Sequence, residues 1–279
     1  MAQKPTENQS DDISVSSLTQ WNRSGAWRLS QLHEHHKDLL IWVTKGQGLA
    51  LLQGVRRGVG AHNAFHIPAG TLFSLDTGRT GFGLVVEIPH DPMLTLHDAP
   101  MLLRIRDVHA QSELTGLLDN LQRELEQNAP FAAEAARAQV TLISVWMRRQ
   151  SVAQHGPNEP KSPAGQRLVE AFSALVTQEF RSGKPMAEFA AMLGVTPTHL
   201  SRACREFAGI TAADILTQRS LYEARMMVEA TQTPLKQISE DLGFGSPAYF
   251  SRFMLQHTGK TPSDLRRQAA LITREAQRR

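Results

Sequence analysis

Cysteine is almost missing from this chain: Cys204 is the only one in 279 residues, so no disulfide can form within it. Long apolar runs are missing as well, and none approaches the roughly 18 residues that a membrane-crossing helix needs. The opening stretch, Met1 to Asp12, has no apolar core of the kind a signal peptide carries. Charge of one sign is not in large excess either, the net being +3. Together these absences argue against a disulfide-stapled secreted scaffold and a membrane span, and lead us to expect a cytoplasmic protein without membrane contact. What is present, 41% hydrophobic and 20% charged residues, suits globular folding, and the length suits two modest domains.

The charge is uneven. From Lys161 onward, 16 lysines and arginines face 11 aspartates and glutamates, whereas the first 160 residues carry 14 against 16. The basic half also holds one pattern written twice. Its first copy runs from Met186 to Arg202 (MAEFAAMLGVTPTHLSR) and its second from Leu235 to Arg252 (LKQISEDLGFGSPAYFSR). Pro197, Ser201, Arg202, Gly209 and Thr211 return fifty positions later as Pro247, Ser251, Arg252, Gly259 and Thr261. Phe189, Ala190 and Leu193 lie at helical spacing, and Gly194 can take the positive φ that ends a short helix. Thr196-Pro197 and Ser246-Pro247 then supply a hydroxyl cap and a proline at the first helical position. Each copy therefore reads as a helix-turn-helix unit whose second helix can enter a DNA major groove. The stretch 214–229 reads as a long helix joining the two, which would set their separation.

The exposed positions at the start of each second helix are the candidate DNA contacts. They are Thr198, His199, Ser201, Arg202 and Arg205 in the first copy, and Ala248, Tyr249, Ser251 and Arg252 in the second. Arginine can bond bidentately to guanine, which makes Arg202 and Arg252 the prime base readers. The run from Gly243 to Arg266, with Gly243-Phe244, Phe250-Ser251-Arg252-Phe253, Gly259-Lys260-Thr261-Pro262 and Arg266, resembles the signature of the AraC/XylS family of transcription regulators. The resemblance covers roughly residues 164–268. It implies double-stranded DNA at a promoter or operator as partner, with RNA polymerase as a further possible one, and base reading at Thr198, Ser201, Arg202, Ala248, Ser251 and Arg252.

The first half looks β-rich. Apolar runs at 27–32, 39–44, 49–53, 63–67, 71–75 and 82–88 are separated by turn residues, which suggests a small β-barrel or sandwich. Ile67-Pro68-Ala69-Gly70 is similar to the Pro-x-Gly turn of a cupin barrel, and AraC-type regulators commonly place such a barrel before the DNA-binding half. Leu114, Leu118, Leu121 and Leu125 are spaced as a coiled-coil seam. In this family such a helix often pairs two copies into a homodimer. A second helix is expected over 132–150.

The resulting expectation is an α+β chain. It has a disordered tail at 1–17, a cupin-like effector-binding and dimerisation domain at 18–150, a linker at 151–163, a tandem helix-turn-helix domain at 164–270 and a basic tail at 271–279. A small-molecule effector would bind the barrel through His33, His35, Trp42 and His66. His33-Glu34-His35 gives the H-x-H of a cupin metal site, but the expected glutamate after it and a third histidine near Leu72 and Phe73 are missing. The reading is therefore of a regulator with no metal, no cofactor and no catalytic residue. The competing expectation is a metal-dependent cupin enzyme with an accessory DNA-binding domain.

Overall fold

A computed structural model describes residues 12–21, 25–89, 91, 94, 97–127, 129–156 and 162–277. Short apolar runs separated by turn residues build two antiparallel sheets. The strands are β1 (Ser14–Ser17), β2 (Asp38–Lys45), β3 (Gly48–Leu52), β4 (Val55–Val59), β5 (Asn63–Ile67), β6 (Phe73–Asp76), β7 (Phe82–Ile88) and β8 (Met101–Arg104). One sheet has the order β1-β7-β2-β5-β8 and the other β4-β3-β6. The expected closed barrel does not form. No ladder joins the two sheets among the described residues; they stack as an open sandwich with β8 and β4 as strand edges. Leu39, Ile41, Phe65, Ile67 and Val85 meet Ala50, Leu52, Phe73 and Leu75 between the sheets. The opposite face of the larger sheet, with Leu40, Trp42, Val86 and Leu103, packs under two helices.

Those helices are α3 (Val108–Gln127) and α4 (Ala132–His155), following two single-turn helices, α1 (Leu18–Trp21) and α2 (Trp27–Ser30). Leu114, Leu118 and Leu121 are fully buried against the sheet and α4, and Leu125 packs beside them. The seam predicted for a homodimer is thus occupied by the chain's own core. The leucines satisfy a coiled-coil spacing because any amphipathic helix on a sheet shows nearly the same one. Trp146 ties the helix pair together by donating its Nε1–H to Glu113 at 3.0 Å.

Other expectations change too. The run 27–32 is not a strand: Ser30 and Gln31 donate back to Ala26 and Trp27 in one helical turn. Ser14–Ser17 is an edge strand rather than disordered tail, because its backbone finds β7 to pair with. The helix α4 runs on through His155, so 151–155 is not linker. The tail expected at 1–11 and the linker residues 157–161 lie outside the described residues. The basic tail is helical as far as Gln277, while Arg278 and Arg279 lie outside the described residues. Strands β4 and β8 were not anticipated; Val55-Arg56-Arg57-Gly58-Val59 is too charged to read as one.

The rest is helical: α5 (Ala164–Glu179), α6 (Met186–Met192), α7 (Pro197–Phe207), α8 (Ala212–Ala230), α9 (Leu235–Asp241), α10 (Pro247–Thr258) and α11 (Pro262–Gln277). Their core holds Phe172, Phe189, Leu200, Ile215, Ile238, Phe250 and Met254, and it extends into the first half through Leu32 and Leu72. Among the described residues no helix is long and apolar enough to cross a membrane.

The β3–β4 hairpin tip seats on α5. A Cβ on Gly54, whose φ is 75°, would lie 2.7 Å from the Val169 side chain and collide with the Ser173 hydroxyl as well. Gly54→Ala is therefore expected to destabilise the chain by about 1–3 kcal/mol, through overpacking on top of left-handed strain. Urea unfolding of the two proteins measures it, and an unchanged midpoint would refute the tight seat.

Candidate nucleic-acid interface and sensor residues

Each second helix of the repeated pattern starts as its cap predicts. The Thr196 hydroxyl accepts from the His199 N–H at 3.2 Å, and the Ser246 hydroxyl accepts from the Tyr249 N–H at 3.1 Å. Gly194 and Gly243 close the preceding helices with φ of 69° and 72°. On α7, Leu200, Ala203 and Cys204 face the core, which leaves Thr198, His199, Arg202 and Arg205 exposed and Ser201 half-buried. On α10, Phe250 and Met254 face in, and Ala248, Tyr249, Ser251 and Arg252 face out. Eight of the nine predicted contacts thus lie in the first half of α7 or α10, and Arg205 lies in the last turn of α7. Among the described residues, Arg202, Arg205 and Arg252 have no carboxylate within ion-pair distance. Burial in apolar packing raises the Cys204 thiol to about 12, so it stays protonated and serves as core filler.

The helix α8 links the two units. Its 19 residues make a rod of about 28 Å. A reciprocal capping box starts it: Thr211 accepts from the Asp214 N–H at 3.1 Å and Asp214 accepts from the Thr211 N–H at 2.9 Å. At the other end Arg266 of α11 donates to the Val228 carbonyl at 3.2 Å and the Thr233 carbonyl at 2.7 Å. The arginine that closes the family signature is therefore a strut for the joining helix, a role no spacing rule reveals.

Sequence reasoning missed what holds α8 from the other side. Arg219 is 3% exposed and bonds Glu34 at 3.0 Å and Glu223 at 2.9 Å, with its guanidinium 3.9 Å from the Phe180 ring centroid. The His33 ring stacks on Tyr222 at 4.6 Å, and Arg225 lies over Trp27 at 3.9 Å. The only sequence signal was the odd density of aromatic and histidine residues at 27–36.

The four predicted effector residues do not line one pocket. Trp42 and His66 lie on the sheet face beneath α3 and α4. His33 stacks at the junction with α8, and its Nδ1 is 2.8 Å from the Gln31 carbonyl. His35 Nε2 lies 3.1 Å from Glu87. The H-x-H pair therefore diverges: one imidazole lies at the junction with α8 and the other against the strand β7. Glu87 titrates below its ordinary value, chiefly because His35 hydrogen-bonds its carboxylate.

His66 is buried next to a void of about 10 Å³ lined by Leu40, Val86, Ile143 and Met147, and among the described residues neither ring nitrogen has a partner at ordinary hydrogen-bond distance. Burial is the main reason its pKa falls to about 4. Burial likewise dominates in lowering His33 to about 3, with His35 and Arg219 adding to the effect and the Gln31 carbonyl opposing it. Both imidazoles are neutral in the native state, whereas the unfolded chain takes up protons below about pH 6.5. Their contribution is thus complete above that pH and is lost as pH falls toward the native values. Between pH 7 and pH 5 each should remove about 2 kcal/mol of stability. His66→Leu is expected to roughly halve that loss and to be near neutral at pH 7, since it deletes an unpartnered polar group. Urea titrations at both pH values test this; an unchanged pH dependence in the variant would contradict it.

Two capped helices with outward arginines, braced on one central rod, define a tandem helix-turn-helix protein. Residues 189–268 match the helix-turn-helix domain family. The regulatory protein SoxS of Salmonella typhimurium is 33% identical over 73 residues, which is 26% of this chain and 68% of SoxS. The HTH-type transcriptional regulator GlxA of Rhizobium meliloti (strain 1021) is 28% identical over 137 residues, 46% of this chain and 41% of GlxA. The arabinose operon regulatory protein of Escherichia coli (strain K12) is 26% identical over 104 residues, 37% of this chain and 36% of that protein. The chain therefore spans only about two fifths of the length of these last two relatives. Among solved structures, unsaturated fatty acid bound ToxT from Vibrio cholerae aligns with a TM-score of 0.43 at 13% identity, covering 93% of this chain and 96% of ToxT. The chain belongs to the AraC/XylS family of transcription regulators.

Proposed function

We propose that this protein binds specific double-stranded DNA through the exposed faces of α7 and α10, with Arg202 and Arg252 reading bases and Arg205, Thr198, Ser201 and Ser251 positioning the helices. The observation that carries the reading is the pair of matched, N-capped helices whose exposed arginines make no ion pair among the described residues, held on α8. An anion such as the DNA backbone is the natural complement of that surface. The sheet half, a cupin-like sensor on this reading, takes a small-molecule effector that biases how the two units sit, which requires different affinity for two arrangements. Two copies act together at a promoter, in contact with RNA polymerase. The pairing surface is the outward side of α3 and α4, where Leu142 is exposed, because the leucine seam is buried. The chain works by binding rather than by catalysis.

The test is selection of genomic fragments with the full chain, followed by mobility-shift titration of the recovered sequences. Sequence-selective binding supports the reading. Binding no tighter than to random duplex would reject it.

A further inference from the structure

The open edge of the sandwich holds two arginines where apolar residues belong. Arg57 of β4 sits opposite Ala50 and between Val55 and Val59, on the face that packs against the other sheet. Arg104 of β8 sits opposite Asn63 and two residues from Leu102, which packs into the same interior. Alternation places both residues on the inward-facing side of their edge strands, and both side chains stay exposed at the mouth of the seam between the sheets. The Arg104 guanidinium comes within 3.9 Å of where a Gly58 side chain would begin, so the two edges oppose each other closely. Neither arginine has a carboxylate within ion-pair distance among the described residues.

The seam opens into a cleft of about 690 Å³, within the roughly 300–1,000 Å³ range of small-molecule sites. Its floor is apolar, with Leu52, Val55 and Met101. Its walls are polar. The helix α4 contributes Gln154, whose Oε1 accepts from the Arg104 N–H at 3.2 Å and so covers the edge of β8. The helix α5 contributes Gln166 and Glu170, joined to each other at 2.7 Å. An occupant would touch both sheets and the first helix of the helical half at once.

We propose that this cleft binds a small hydroxylated anion, a carboxylate or a phosphate ester, with its charged group held by Arg57 and Arg104 and its hydroxyls turned toward Glu170. Two cations without a carboxylate in ion-pair distance among the described residues call for an anion, and a planar guanidinium suits both carboxylate and phosphate. The acidic wall at α5 calls for hydrogen-bond donors, so the body of the ligand carries hydroxyls rather than further charge. The site rests on the effector reading only for its consequence at DNA, since α5 carries the contact onward.

Calorimetry on the full chain tests it with gluconate and glucose 6-phosphate, and with glucose as the uncharged control. One of the two anions should bind saturably and glucose should not; which anion binds tells carboxylate from phosphate. The double variant Arg57→Gln/Arg104→Gln should lose at least about tenfold in affinity, with its unliganded unfolding midpoint unchanged. Binding of neither anion, or equal binding by the double variant, overturns the site. So does self-association of the double variant with ligand affinity intact, because the arginines would then serve to keep edge strands from pairing. Mobility shifts separate the two readings. Anion binding that leaves DNA affinity unchanged removes the effector role but keeps the site, and a different metabolite that modulates wild type and double variant alike removes the site but keeps the role.

Discussion

Alanine at Arg202 or at Arg252 is expected to weaken specific DNA binding by about 1–3 kcal/mol each, or roughly fivefold to more than a hundredfold. Both side chains are exposed and make no ion pair among the described residues, so thermal stability should move by no more than about 0.5 kcal/mol. The loss should be concentrated on preferred sequences, with selectivity relaxed at the base each arginine reads. A uniform loss over all sequences, with a salt dependence shallower by about one ion, would instead mark a phosphate contact. If both single variants bind their preferred fragment as tightly as wild type, the reading helices are wrongly assigned.

The second large effect is expected at Arg219, far from the proposed DNA surface. Arg219→Met keeps much of the apolar length that rests on Phe180 but removes both ion pairs, leaving Glu34 and Glu223 without this partner. Breaking a buried pair from one side typically costs about 3–5 kcal/mol. We expect about 3 kcal/mol here, the low end, because Glu34 and Glu223 still reach water at 31% and 18% exposure, and Glu223 keeps Arg181. Glu34→Gln alone should cost less, and the double variant should be less destabilised than the sum of the two by about 1–2 kcal/mol. Urea unfolding of the four proteins gives that coupling. Additive effects would mean that the Arg219–Glu34 pair contributes nothing to holding the sheet half against α8.

Arg219 also shows where sequence reading stopped. An arginine in the middle of a helix is ordinarily solvated, and its burial came from Phe180 and Glu34, the latter 185 positions away. The leucine seam of α3 shows the opposite hazard. Its spacing was read correctly as one apolar face, but a face does not say what covers it, and the sheet beneath competes with a second copy of the chain. His33, His35, Trp42 and His66 were grouped by composition, and the fold divided them: Trp42 and His66 share the sheet face beneath α3 and α4, while His33 and His35, outside the named strands, sit against α8 and β7.

What the sequence determined by itself was local. Hydroxyl caps at Thr196 and Ser246, prolines at the first helical turn and glycines at positive φ act within four residues, and a motif repeated after fifty positions repeats its folded form. Most strand positions, and the outward turn of Arg202 and Arg252, follow from the same short-range periodicities. What only the tertiary structure decided depends on partners distant in the chain. It turned Trp27–Ser30 into a helical turn seated on α8, left the sandwich open with two arginines at the mouth of its seam, and buried Arg219 at the junction. In each case long-range packing and ion pairing outweigh a local preference worth well under 1 kcal/mol per residue.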